Sequence, residues 1–176
     1  EYPNYLGSGV GNAVRFVKSG EDVNKPFSNV TSGTVYAAFL VNFEDAGTVT
    51  AGDYFAHFMT SGTTTFRGRI FVRKDASNNL SFGVTKGAVG SSAVWTDYTY
   101  SMNTTYLMVL KYKFIDGVKN DSVSLFINPT IGAAEPTPTI AIGAADTNDD
   151  IAILDAFALR QGSSANGSVQ KLDAIR

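Results

Sequence analysis

The alternation that decides the fold lies in residues 34–43, which read Thr-Val-Tyr-Ala-Ala-Phe-Leu-Val-Asn-Phe. In an extended chain, neighbouring side chains point to opposite faces, so apolar residues at every second position line one face. That face carries Val35, Ala37, Phe39, Val41 and Phe43. The stretch is therefore predicted to be a half-buried β-strand that packs on a hydrophobic core.

The same two-residue period recurs along the chain, between loops rich in Gly, Ser, Thr and Asn. Further strands are predicted over residues 53–60, 67–74, 80–84, 106–114, 123–127, 151–160 and 169–175. About nine or ten strands with no amphipathic helix between them predict an all-β, antiparallel fold, because parallel pairing would need helical crossovers. Apolar residues on both faces of several strands favour a β-sandwich of two packed sheets, formed by residues 1–176 as one domain.

The composition excludes several classes of function. Fourteen Lys and Arg against 16 Asp and Glu give a net charge of −2, whereas nucleic-acid and anionic-membrane binders need a positive excess. Cys is absent and His57 is the one histidine, which excludes disulfides, thiol catalysis and His-rich metal sites. The charge balance therefore predicts no nucleic-acid binding. No run of about 18 apolar residues is present, so membrane insertion is not expected either.

Several ordered blocks of the sequence resemble a known family. They include residues 7–13 (Gly-Ser-Gly-Val-Gly-Asn-Ala), 35–41 (Val-Tyr-Ala-Ala-Phe-Leu-Val), 66–72 (Phe-Arg-Gly-Arg-Ile-Phe-Val) and 172–176 (Leu-Asp-Ala-Ile-Arg). Their succession resembles a concanavalin A-like (LamG-like) jelly-roll domain of secreted Bacteroidetes-type bacterial proteins. The resemblance implies a jelly-roll β-sandwich of the lectin/glucanase type, with carbohydrate binding or adhesion as its function.

The compartment expected from these features is secreted or on the surface of a bacterial cell. Loops such as residues 61–65 and 162–168 are polar and uncharged, and freedom from Cys suits a secreted bacterial protein. The chain opens on Glu1-Tyr2-Pro3, without Met or a basic and apolar leader. It is therefore interpreted as a module excised from a larger secreted protein, with neighbouring domains as partners.

The acidic residues do not favour a glycosidase. Laminarinase-like enzymes that share this fold carry Glu-x-Asp-x-x-Glu, because retaining hydrolysis needs two carboxyl groups about 5–5.5 Å apart. Here no glutamate lies within five residues of another; they are Glu1, Glu21, Glu44 and Glu135. Carboxylates from different strands can still meet in space, so a glycoside hydrolase-like enzyme stays as the third alternative.

Two calcium sites are considered, because oxygen ligands suit hard cations. Residues 146–150 (Asp-Thr-Asn-Asp-Asp) place oxygen side chains at alternate positions, but they lack the glycine and distal glutamate of an EF-hand, and a solvated turn explains them better. The family resemblance implies a structural Ca²⁺ held by Asp173 on the last strand, with Gly20 or Glu21 nearby. The alternative for Asp173 is an exposed strand residue.

The candidate ligand-binding surface begins with four residues on one face of a predicted strand: Arg67, Arg69, Phe71 and Arg73. An aromatic ring stacks on a sugar, and guanidinium groups bind hydroxyls, uronates or sulfates. Lys111 is expected to extend this patch, and Tyr54 and Trp95 are further stacking candidates. The simpler alternative is a solvated face whose arginines prevent edge pairing.

Together these features predict non-catalytic binding of an extracellular polysaccharide or glycan by a module of a larger protein. The alternative from another class is a structural spacer or adhesion domain that binds no glycan.

Overall fold

Two antiparallel sheets face each other in the computed structural model, which describes residues 2–48, 51–87, 93–143, 148–162 and 166–176. The strands of these residues, in chain order, are β1 (Val14–Phe16), β2 (Val23–Val30), β3 (Thr34–Asp45), β4 (Asp53–Met59), β5 (Phe66–Lys74), β6 (Asn79–Thr85), β7 (Val94–Trp95), β8 (Tyr100–Ser101), β9 (Thr105–Lys113), β10 (Ser122–Ile127), β11 (Ile140–Ile142), β12 (Leu154–Leu159) and β13 (Val169–Asp173). No helix in this part of the chain is long and apolar enough to cross a membrane.

The strands divide into sheet I, with the order β1-β13-β3-β9-β10-β11, and sheet II, with the order β2-β12-β4-β5-β6-β7. Strand β8 also pairs with β6. Sequence neighbours such as β2 and β3 lie in different sheets, so the chain repeatedly crosses between the two layers. The predicted antiparallel β-sandwich is confirmed.

The strands with strong alternation lie where the sequence predicts them, whereas one long strand does not follow that signal. Strand β3 starts at Thr34 as expected and extends to Asp45. The missed strand is β2, which pairs with β12 at the edge of sheet II and is mostly exposed. Pro26 and Lys25 interrupt any apolar period there, because an edge strand has little core to cover.

The sheets are held together by aromatic side chains that meet in the middle of the sandwich. Phe43 of sheet I packs edge-on against Phe55 of sheet II, with ring centroids 5.1 Å apart, and lies 5.6 Å from Phe82. Phe39 packs in the same way against Phe55 at 6.4 Å. All four side chains are at most 1% exposed, and burying each contributes roughly 1.5–3 kcal/mol.

The pairing of β4 with β5 contains two irregularities that set which side chains face outward. Between the pairs Tyr54↔Phe71 and Ala56↔Ile70, β4 has one extra residue, and before Phe58↔Arg67 the extra residue is in β5. Gly68 lies in the second irregularity and has a φ of 58°, a backbone conformation in which a residue with a side chain would be strained. These bulges interrupt the simple alternation in β4.

A buried polar network closes one end of the sandwich. The Lys86 ammonium group has no exposure and lies 3.1 Å from an Asp150 carboxylate oxygen. Backbone amides of Asn120 and Asp121 donate to the same carboxylate, both at 3.0 Å. Burial alone would raise the pKa of Asp150, but these hydrogen bonds and Lys86 hold it below its ordinary value.

Replacing Asp150→Asn is expected to lower the free energy of unfolding by about 3 kcal/mol, because it leaves the buried Lys86 cation without this carboxylate. The measurement is chemical denaturation near neutral pH. The matched control is Asp149→Asn, since that neighbouring carboxylate is 76% exposed and pairs with the exposed Lys119; its cost is expected to stay below about 1 kcal/mol. Equal losses in the two variants would contradict the role given to burial.

Candidate functional site

The outer face of sheet II carries a continuous group of arginines and rings, which we call the arginine–aromatic face. The strands β4, β5, β7 and β12 contribute to it with the side chains that point away from the core. Its members are Tyr54, His57, Phe66, Arg69, Phe71, Arg73, Trp95 and Arg160.

Three rings form a row across this face. The Tyr54 and Phe71 centroids are 5.7 Å apart, and those of Phe71 and Trp95 are 5.9 Å apart. Trp95 sits over the backbone of Gly83, where an added Cβ would lie 2.7 Å from the indole ring. The missing side chain of Gly83 therefore lets the indole lie close to the sheet and complete the row.

Two guanidinium groups stack on the ends of this row. Arg73 lies 4.0 Å from the centroid of a Trp95 ring, and Arg160 lies 4.2 Å from that of Tyr54. Arg160 also pairs with the Asp53 carboxylate at 2.8 Å, so its charge is balanced inside the protein. Both arginines keep their rings in place and leave guanidinium edges toward solvent, where hydrogen-bond acceptors of a ligand can bind.

The prediction that Arg67 shares the outward face of β5 is wrong. Arg67 pairs with the core residue Phe58, and the bulge at Gly68 separates it from the outward Arg69. Arg67 is only 6% exposed and donates to the backbone carbonyls of Asp149 and Phe66, both at 3.0 Å. These bonds tie β5 to the loop before β12. Arg67 therefore donates two hydrogen bonds to backbone carbonyls of the chain itself.

Arg69 is buried, and no carboxylate in the described part of the chain pairs with it. Its side chain is 7% exposed, and its guanidinium lies over the rings of Tyr54 and Phe66, at 4.7 and 5.3 Å from their centroids. The Nε group finds no acceptor among the described residues, and none of their carboxylates pairs with Arg69. Desolvation lowers the pKa of Arg69. The electrostatic interaction with Tyr54 opposes this shift, and those with Arg67 and Arg160 add to it.

The single histidine belongs to this face as a neutral group. His57 is 2% exposed, its ring packs 4.2 Å from that of Phe66, and its Nδ1–H donates to the Phe58 carbonyl at 3.1 Å. Burial lowers the pKa of His57 to about 4, the bond to Phe58 opposes this shift, and Arg69 and Arg160 add to it. His57 is therefore uncharged at neutral pH and adds no further cation to the face.

The prediction for Lys111 is wrong. Lys111 lies on β9 of sheet I, whereas the arginine–aromatic face belongs to sheet II, so the sandwich separates them. Its ammonium group pairs with Glu135 at 2.6 Å beside the ring of Tyr36. On β5, Ile70 and Val72 are fully buried between the sheets, so the alternating residues Arg69, Phe71 and Arg73 point outward.

The three residues of the implied calcium site lie at two ends of β13. Asp173 ends that strand opposite Leu40, and one of its carboxylate oxygens accepts from the amide of Ala174. Gly20 and Glu21 follow β1, near Gln161, beyond the other end of β13. No cluster of three acidic or His side chains occurs among the described residues. Residues 146 and 147 of the other candidate loop lie outside them, and calcium binding stays a prediction.

Sequence reasoning missed three members of the face, and for different reasons. Arg160 has a signal, because it continues the alternation of Ala156 and Ala158 beyond the end of β12. His57 has none, because it lies three residues from Tyr54 and simple alternation would place the two on opposite sides. The bulges bring their rings to 5.7 Å. Phe66 lies one residue before the predicted strand of residues 67–74, so the alternation does not assign it to a face.

Cavities flank both outer faces. A small one of about 110 Å³ adjoins the arginine–aromatic face and is lined by Asn24, His57, Met59 and Phe66, among others. A larger one of about 450 Å³ lies on the outer face of sheet I, between Ser8 of the N-terminal segment and the strands of Asn42, Thr105 and Asp173. The larger cavity has no aromatic lining residue and its Lys171 pairs with Glu44, whereas the smaller one is lined by His57 and Phe66 of the arginine–aromatic face.

Comparison with known proteins places the chain by its fold. No family model matches it, and a search of the curated proteins finds no match. Its structure is similar to an alginate lyase in complex with an alginate trisaccharide (15% identity, TM-score 0.59, 93% of this chain and 79% of that chain). It is also similar to a heptameric SAP-like pentraxin from Limulus polyphemus (10% identity, TM-score 0.55, 92% and 67%).

A third similar structure is an endo-β-1,4-glucuronan lyase from the fungus Trichoderma reesei (10% identity, TM-score 0.52, 97% of this chain and 76% of that chain). At these identities the likeness shows the fold alone. The chain folds as a jelly-roll β-sandwich.

Replacing Arg69→Met is expected to stabilise the free protein, because the buried Nε of Arg69 has no hydrogen-bond partner among the described residues, and an unsatisfied buried polar group costs about 1–3 kcal/mol. Two stacking contacts are lost, so the net gain is about 1 kcal/mol, or roughly 2–4 °C in Tm. Thermal unfolding checks this. The control Arg15→Met removes an exposed arginine that pairs with Glu44 and is not expected to raise Tm. A lower Tm for Arg69→Met would contradict the absence of a counter-charge.

Acidification is expected to destabilise the fold between pH 6.5 and 4 through His57. The unfolded chain binds a proton below its ordinary pKa of 6.5, whereas the folded protein binds it only near 4. The linked loss of stability reaches about 3 kcal/mol at pH 4. Denaturation at several pH values measures the slope, which His57→Gln should remove between pH 6.5 and about 5, above the ordinary pKa values of the carboxyl groups. An NMR titration of the single histidine with a midpoint near 6.5 would contradict the account.

Proposed function

We propose that the chain is a non-catalytic carbohydrate-binding module and that the arginine–aromatic face is its glycan-binding surface. The observation that carries the proposal is the row of Tyr54, Phe71 and Trp95 rings across sheet II, flanked by guanidinium groups. All three rings are partly exposed, so they combine apolar contact area with nearby hydrogen-bond donors. This pairing of surfaces is what a sugar, with apolar C–H faces and polar edges, requires.

Each part of the face has a distinct contribution to such binding. A sugar ring lying on Tyr54 or Phe71 buries its C–H groups against the aromatic face, and the sheet holds the rings in fixed positions. Arg73 and Arg160 are prearranged by their stacking contacts, so little side-chain entropy is lost when they donate to hydroxyl groups. The surface is open along the strands, which suits an extended polysaccharide.

The fold supports this proposal in a general way. Proteins named as lyases of alginate and of glucuronan share the sandwich, and one of them was solved with an alginate trisaccharide. Binding without catalysis is proposed for this chain because no glutamate of the sequence lies within five residues of another. In line with the LamG-like resemblance, we propose that the module belongs to a larger protein, secreted or on a bacterial surface.

Replacing Tyr54→Ala is expected to weaken glycan binding at least about tenfold, because it removes the ring at the centre of the face. Affinity electrophoresis against neutral, uronic and sulfated polysaccharides identifies the ligand, and calorimetry on its oligosaccharides gives Kd. The matched control is Tyr36→Ala, which removes an exposed tyrosine from the outer face of sheet I.

The outcomes separate the alternatives. Equal weakening by both tyrosine variants would place binding elsewhere than the arginine–aromatic face. Lack of binding across all three classes of polysaccharide would overturn glycan binding and favour the structural spacer. Depolymerisation of a polysaccharide by the purified protein would overturn the non-catalytic proposal.

A further inference from the structure

On the outer side of sheet II, Arg69 and the neighbouring Thr85 each bury a polar atom that has no hydrogen-bond partner among the residues described. Arg69 of β5 and Thr85 of β6 are directly opposite each other in the sheet, 7% and 2% exposed. The Nε of Arg69 and the Oγ1 of Thr85 are both buried without a hydrogen-bond partner among the described residues. Side chains of directly opposed residues emerge on the same face, about 5 Å apart at Cβ, so both groups border one small region.

We infer that Arg69 and Thr85 bind the carboxylate of a uronic acid residue, which makes the ligand of this module an acidic polysaccharide. The inference rests on the proposed glycan-binding function and names the class of sugar. Arg69 would donate to the carboxylate from its guanidinium edge, and the Thr85 hydroxyl would donate to a carboxylate oxygen.

The charges around Arg69 favour an anion. Arg67 and Arg160 are near enough to lower the pKa of Arg69. The Asp53 side chain is the carboxylate that pairs with Arg160, so it does not balance the charge of Arg69. Arg67 uses its donors on backbone carbonyls. Arg69 thus has neither an ion pair nor a hydrogen-bond acceptor for its Nε among the described residues, and an incoming anion would replace the water that burial has removed.

The surroundings of Arg69 favour a carboxylate that belongs to a sugar over a free anion. Its guanidinium lies over the rings of Tyr54 and Phe66, so these contacts are made with aromatic carbon and no hydrogen-bond acceptor of the two rings is used. A carboxylate matches the guanidinium edge with two parallel bonds. Tyr54 also begins the row of rings, so a uronate bound at Arg69 places the sugar rings of its chain along Phe71.

The test compares acidic oligosaccharides with their neutral counterparts, which differ only in the reduced carboxyl group. Calorimetry is run with hexamers of glucuronate, mannuronate, guluronate and galacturonate, each beside its carboxyl-reduced form. At least one acidic hexamer is expected to bind about tenfold or more tightly than its neutral form, because charge-assisted bonds to a buried arginine are strong.

Variants assign this preference to the two side chains. Arg69→Met is expected to abolish the preference, so that the acidic and the neutral hexamer bind with equal affinity, and Thr85→Val is expected to reduce the preference several-fold. The control Arg15→Met removes the same charge from sheet I and should keep the full preference. Thermal unfolding of each variant confirms that it is folded.

Each alternative result overturns a different statement. Equal binding of acidic and reduced hexamers, or a preference that survives Arg69→Met, overturns the carboxylate site and leaves glycan binding intact. Binding of a sulfated neutral hexamer that depends on Arg69, with no uronate bound, overturns the choice of carboxylate. Failure of every oligosaccharide to bind overturns the proposed function itself.

Discussion

The packing of phenylalanine rings between the two sheets is the contact on which the rest of the structure depends. Phe39 and Phe43 of sheet I meet Phe55 and Phe82 of sheet II. The register of β4 against β5 shifts twice at bulges, and the inward side chains of both strands still reach this core. Because Ile70 and Val72 occupy inward positions of β5, Arg69 and Arg73 face outward. The arginine–aromatic face is thus the reverse side of the core.

Arg69 places stability and binding in opposition. The described residues offer it two aromatic rings and no carboxylate, so the free protein bears the cost of a desolvated charge. Its neighbours Arg67, Arg73 and Arg160 are each held by hydrogen bonds or an ion pair within the chain. A side chain that weakens the free fold in this way is well explained as part of a binding surface.

How far the sequence predicts the structure depends on whether alternation persists along a strand. The faces of β3 and β5 follow from their two-residue period, and with them the outward position of Arg69 and Phe71. Period two cannot identify which strands share a sheet, so Lys111 was assigned to the wrong side. His57 joins the face only through the bulges, and the lack of a partner for Arg69 is a tertiary property that residue order does not encode.

The most direct test of the account is the NMR signal of the Arg69 Nε–H during titration with an acidic hexasaccharide. We predict that this signal shifts and that its hydrogen exchange with water slows on addition of the acidic form, while the Arg15 signal stays in place. The account would be contradicted by an unchanged Arg69 signal together with shifts around Lys171 and Asp173, in the larger cavity on the outer face of sheet I.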